Sequence, residues 1–140
     1  MSTLHHYKSN LQDIYFNLFD VLKVGENSFG KGPFEAMDVD TATEALKTLE
    51  QLCVEDFATT FVESDRTPLK VDDDGNIAIP EGLKQAMATY YRDGWDKLEL
   101  PTNLGGYGAP PSLKWAAFEL FTGASPCLSF YLLGTFIGKI

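Results

Sequence analysis

The stretch Thr41-Ala-Thr-Glu-Ala-Leu-Lys-Thr-Leu-Glu-Gln-Leu-Cys-Val-Glu-Asp-Phe-Ala-Thr-Thr-Phe61 decides the fold class. Ala45, Leu46, Leu49, Leu52, Cys53, Phe57 and Phe61 recur at three- and four-residue spacing, and Glu44, Lys47, Glu50, Gln51 and Glu55 fall largely off that stripe. This is the pattern of a helix with one apolar face. Asp40 or Thr41 can cap its start, and Thr41 with Glu44 three residues on makes a capping box. The helix is predicted to run to about Ser64, where Asp65, Arg66 and Pro68 end it.

Working towards the N-terminus, Leu11, Ile14, Tyr15, Leu18 and Leu22 stand at helical spacing, so residues 11–22 read as a short amphipathic helix. Gly25, Gly30, Gly32 and Pro33 then break the period and predict a loop. Towards the C-terminus, apolar residues alternate on both sides of an Asp74-Gly75 turn, which predicts a β-hairpin near 69–79. Pro80 and Glu81 open a further helix with Leu83, Met87, Tyr90 and Tyr91 inward, and Gly94 can close it in the left-handed conformation. A short extended piece is expected over 95–100. Pro101-Thr-Asn-Leu-Gly-Gly-Tyr-Gly-Ala-Pro-Pro111 is too rich in Gly and Pro for regular structure. An Ala-rich helix over 112–121 follows, ended by Gly123; Ser125 and Pro126 then supply the cap and first-position proline of a last helix over 128–140. The expected fold is all-α with one small β-hairpin.

The chain has 140 residues, enough for one domain, and 44% of them are hydrophobic. Its net charge of -9 repels phosphate backbones and anionic lipid, which argues against nucleic-acid binding. No dense Lys/Arg cluster is present, so an anionic ligand would need basic groups from elsewhere. Cys53 and Cys127 lie far apart in apolar stretches without metal-ligand spacing, and both read as buried thiols of a cytoplasmic protein. The polar start, with His5, His6 and Lys8, is no secretory signal, and the two histidines read as solvated residues.

Other candidate sites are weak. Placing Gly75 at the sixth position of a calcium loop puts Lys70 where the first carboxylate must be, so Asp72, Asp73 and Asp74 read as a solvated turn. Leu104-Gly-Gly-Tyr-Gly108 lacks both the spacing and the preceding strand of a dinucleotide loop. Gly134 and Gly138 lie in an apolar run shorter than the ~20 residues of a membrane span. Glu119, between Phe118 and Leu120, is a candidate perturbed carboxylate, set against the commoner role of a surface or paired residue. No residue of the chain is assigned a catalytic or metal-binding role.

Together, Asp65-Arg66, the acidic turn, Ile79-Pro-Glu-Gly-Leu-Lys84, Gly94-Trp95 and Leu100-Pro-Thr-Asn-Leu-Gly-Gly-Tyr-Gly-Ala-Pro110 resemble the N-terminal domain of acyl-CoA dehydrogenases. Tyr7-Lys8, Asp13, Phe16, Leu18 and Asp20-Val21-Leu22 are similar to a short extension ahead of that domain in a longer bacterial subgroup, which has Arg and Glu where this chain has Gln12 and Asp20. The resemblance divides the chain into an extension, 1–33, and a helical domain, 34–140, expected to be truncated because it stops within an apolar helix without a capping motif.

The resemblance implies an enzyme that oxidises acyl-CoA to trans-2-enoyl-CoA by pairing α-proton abstraction with hydride transfer to FAD. It also implies that FAD is gripped mainly by a β-barrel and a C-terminal helical domain outside this chain, in a homo-oligomer. Gly123-Ala-Ser-Pro-Cys-Leu-Ser-Phe-Tyr131 resembles the entry to the helix lining the acyl pocket, which makes Leu128, Ser129, Leu132 and Leu133 candidates for facing the acyl tail. The same residues serve equally as plain core, and the serine can bond back to its own helix. The fragment alone is expected to be inactive. The alternative is a non-catalytic helical module that docks on a partner through its apolar C-terminal helix.

Overall fold

The computed structural model describes residues 6–132; His5, Leu133, Gly134, Gly138 and the rest of the stretch to Ile140 lie outside them. The elements are α1 (Leu11–Tyr15) running into a π-helical turn (Phe16–Val21), α2 (Val24–Asn27), a 3-10 turn (Gly32–Phe34), α3 (Val39–Glu55), a 3-10 turn (Phe57–Thr60), α4 (Phe61–Arg66), β1 (Lys70–Val71), β2 (Ile77–Ala78), α5 (Glu81–Arg92), 3-10 turns at Trp95–Lys97 and Thr102–Leu104, α6 (Pro111–Ala124) and α7 (Pro126–Leu132). Among the described residues the fold is helical with one two-stranded antiparallel hairpin.

The core sits where α3 lies against α6. Ala42, Leu46, Leu49 and Cys53 of α3 are buried, as are Leu113, Ala117, Leu120 and Ala124 of α6. Each such leucine contributes about 1.5–3 kcal/mol relative to exposure. α1 packs on α3, and the Tyr15 hydroxyl donates to Thr43 O at 3.0 Å.

Several local expectations are corrected. The cap of α3 is Asp38, whose extended backbone (φ -79°, ψ 175°) aims Oδ1 at the Thr41 N–H, 2.7 Å away. Thr41 is thus the recipient of the cap, and Glu44 pairs with Lys47 at the surface instead of reaching back. The predicted helix to Ser64 breaks at Asp56 (φ -110°, ψ -61°). Phe57, Ala58 and Thr60 are all buried, and the tighter turn is held by Thr59 and Thr60 hydroxyls donating to the Asp56 and Phe57 carbonyls.

Leu22 is exposed because the π turn, closed by Leu22 N–H to Asn17 O, carries it off the stripe. Lys23 then takes a left-handed φ of 50° and turns the chain into α2, a short helix where a loop was expected. In α5 the buried set is Leu83, Ala86 and Tyr90, leaving Tyr91 outside. Gly94 closes that helix at φ 77°, and the residues after it form a 3-10 turn that brings Leu98 into the core rather than an extended piece. α6 passes through Gly123 and ends only at Ala124. Cys53 is buried, whereas Cys127 is partly exposed.

The hairpin pairs Lys70 with Ala78 and Val71 with Ile77, and both strands are exposed. Its turn is organised by Asp72, whose carboxylate accepts from the Asp74 and Asn76 amides, while Gly75 takes φ 84°.

The Asp38 cap gives a testable pH signature. The hydrogen bond from Thr41 holds the Asp38 carboxyl below the usual carboxylate range. A depressed folded-state pKa stabilises above the unfolded-state value, and that stabilisation is lost as pH falls through the folded one. Asp38→Ala is expected to lower the melting temperature by a few degrees at neutral pH, with Asp40→Ala nearly silent. In thermal melts the Asp38→Ala deficit should close below the ordinary carboxylate range.

Candidate functional site

α7 begins at a corner made by hydroxyls. Thr60 spends its one hydroxyl hydrogen on Phe57 O at 2.8 Å, so Ser125, buried 3.0 Å away, is the donor between the two. Ser125 Oγ then accepts the Leu128 N–H at 3.4 Å, and its carbonyl accepts the Ser129 N–H at 3.0 Å. The capping role expected of Ser125 and Pro126 is therefore present.

α7 packs against α4, α5 and α6. The structure brings Leu128, Ser129 and Leu132 together on this buried side, at 0%, 3% and 1% exposure. Leu133 is outside the described residues. Ser129 Oγ donates to Pro126 O at 2.8 Å, so the serine bonds back to its own helix. Phe130, on the opposite side, is 73% exposed.

The glycine-rich loop folds onto the segment before it. The Gly106 N–H donates to Pro101 O, Tyr107 to Lys97 O, Gly108 to Leu100 O and Ala109 to Leu98 O, all at 2.9–3.1 Å. A Cβ added at Gly106 would lie 1.9 Å from Leu100 O, so the chain closes only over glycine. These amides are spent internally and leave no cradle for a phosphate.

A groove of about 430 Å³ runs between the π-helical turn and α6. Leu18, Val21, Leu22, Trp115 and Ala116 line it, with Glu119 on its rim. Glu119 is exposed, which matches the surface role weighed for it. The sequence reading missed this groove, whose two walls are brought together only by the fold. Trp115 is 61% exposed.

Cys53 and Tyr7 are held neutral by their surroundings. Burial pushes the Cys53 thiol well up, and Glu50 adds to the effect. Burial likewise pushes the Tyr7 phenol up to about 12, with Cys53, Glu50 and Glu119 contributing. Both stay neutral at physiological pH and offer neither nucleophile nor base. Among the described residues no three His, Cys, Asp or Glu side chains gather as a metal site, and no helix is long and apolar enough to cross a membrane.

No family model matches the chain. It is, however, 36% identical over 138 residues, 98% of its length, to the broad-specificity linear acyl-CoA dehydrogenase FadE5 of Mycobacterium tuberculosis. The chain is homologous to acyl-CoA dehydrogenases. It is also 29% identical over 91 residues, 65% of its length, to the 3-methylmercaptopropionyl-CoA dehydrogenase of Ruegeria pomeroyi. The chain spans 22% of the first relative and 15% of the second.

The flavin that an acyl-CoA dehydrogenase implies finds no ready holder in the glycine loop or at Lys114. The loop amides are internally bonded, and Lys114, which leads out of the loop into α6, is tied to Glu99 at 2.7 Å. No step of flavin chemistry is assigned to this chain.

Proposed function

We propose that this chain is the N-terminal helical domain of an FAD-dependent acyl-CoA dehydrogenase acting on linear acyl-CoA, with residues 1–33 as an extension ahead of a domain over 34–140. The identity to FadE5 along 98% of the chain carries the reading. The whole enzyme converts acyl-CoA to trans-2-enoyl-CoA in the cytoplasm, as a homo-oligomer. FAD is held mainly by the β-barrel and C-terminal helical domains outside this chain. The part played by this chain is shape: α7 walls the acyl pocket beside the flavin, with Leu128, Ser129, Leu132 and Leu133 as the candidates to face the acyl tail; the first three are buried against this chain's own helices, so they meet the tail only where the pocket opens between α7 and α4, α5 or α6. Because Ser129 Oγ is already bonded to Pro126 O, that wall is apolar in effect and excludes water from the tail.

The test compares the 140-residue chain with a polypeptide extended to the length of the relatives. The extended protein is expected to purify with flavin absorbance and to reduce an artificial electron acceptor when given a linear acyl-CoA. The 140-residue chain is expected to do neither. An extended protein without flavin or turnover overturns the family activity, and stoichiometric flavin on the short chain overturns the assignment of FAD to outside parts.

The exposure of Phe130 favours a second reading, a non-catalytic module that docks through α7. A partner captured by the short chain and lost on Phe130→Glu, with no activity in the extended protein, would select it.

A further inference from the structure

We propose that residues 6–10 act as a strap that locks the α6–α7 corner, so that the position of α7 is set by the N-terminal segment as well as by the helices beneath it. The lock stands on geometry alone; its use as a control on the acyl-pocket wall rests on the function proposed above.

The strap touches three elements in five residues. The Tyr7 ring lies against Gly123, where an added Cβ would come within 2.7 Å of Cε2 and 3.4 Å of Cζ. Gly123, expected to end the helix, instead leaves room for an aromatic ring on its last turn. Tyr7 is partly buried and packs on the core. His6 stacks on Phe61 of α4 with ring centroids 4.2 Å apart, and its Nε2 lies 3.3 Å from Gly123 O. A carbonyl only accepts, so Nε2 is the donor, and it serves one of the last-turn oxygens that a helix cannot satisfy itself. Ser9 Oγ donates to Glu50 on α3, and Asn10 O accepts the Asp13 and Ile14 amides that open α1.

The corner is thus pinned from two sides. The hydroxyl chain Ser125–Thr60–Phe57 holds it from within, and the strap closes over Gly123 from outside, two residues before Ser125. Over its described residues, Pro126–Leu132, α7 leaves directly from this corner, so its placement depends on both pins.

Hydrogen exchange of the 140-residue chain tests this. In Tyr7→Ala and in Gly123→Ala, amides of residues 125–132 are expected to exchange about ten-fold faster, with those of residues 42–53 unchanged. His6→Ala, at an exposed position with little effect on folding, should move the same amides in the same direction, and Tyr7→Phe should exchange like the parent. Unchanged exchange over 125–132 in both corner variants overturns the lock. So does uniform acceleration throughout the chain, which would make Tyr7 ordinary core. Neither result bears on whether the extended protein turns over acyl-CoA.

Discussion

Gly106→Ala is expected to cost about 3 kcal/mol or more and to lower the melting temperature by about 10 °C. The added methyl would sit 1.9 Å from Leu100 O and 2.3 Å from Leu100 Cβ, and the first of these is backbone that cannot rotate away. Relief requires the loop to lift, which breaks the amide bonds from Tyr107, Gly108 and Ala109 to the 97–100 segment. Gly105→Ala is the control. That glycine has φ 80° and nothing within 4 Å, so the substitution meets only the left-handed penalty, about 1–2 kcal/mol. Thermal melts of both variants decide the point: equal losses would show that conformation, not close approach, requires the glycine at 106.

The second large effect is expected at Phe57. Its ring is fully buried, 5.7 Å from Phe121, which in turn meets Tyr90 edge-on at 5.4 Å. Phe57→Ala should cost about 3–5 kcal/mol, the range for emptying a packed aromatic site, and Phe57→Leu no more than about 1.5 kcal/mol. Urea unfolding should show the midpoint falling with the slope unchanged. A loss below about 1 kcal/mol for Phe57→Ala would mean that the 3-10 turn can repack and that the break at Asp56 is soft. Total stability of a domain this size is about 5–15 kcal/mol, so the expected loss is a large share of it.

These two residues also mark what the sequence could and could not reveal. The stripe through Leu46, Leu49 and Cys53 is local information, and α3 follows it. The break after Glu55 is not local, because Phe57, Ala58 and Thr60 are claimed at once by α5, α6 and the Ser125 hydroxyl. The glycine loop was legible as irregular, yet the need for glycine at 106 arises only when 97–100 comes to lie beneath it. Capping was misplaced by two or three residues because Asp38, Asp40 and Thr41 are all competent caps, and the backbone at 38 makes the choice. At the candidate site, α7 and its Ser125 cap were readable from Ser-Pro followed by an apolar run. The groove beside Trp115 was not, since it exists only through the meeting of the π turn with α6, residues almost a hundred apart in sequence.

The hairpin of Lys70–Val71 and Ile77–Ala78 buries neither strand, and its turn is held by the Asp72 side chain on its own amides. Nothing in the helical core depends on how far it projects. It is therefore the point at which the chain can be lengthened, clipped by a protease or fitted with a tag at little cost to the helices on either side. Variation in length among related chains would be absorbed there, rather than at the hydrogen-bonded corner of Ser125 or in the loop that closes over Gly106.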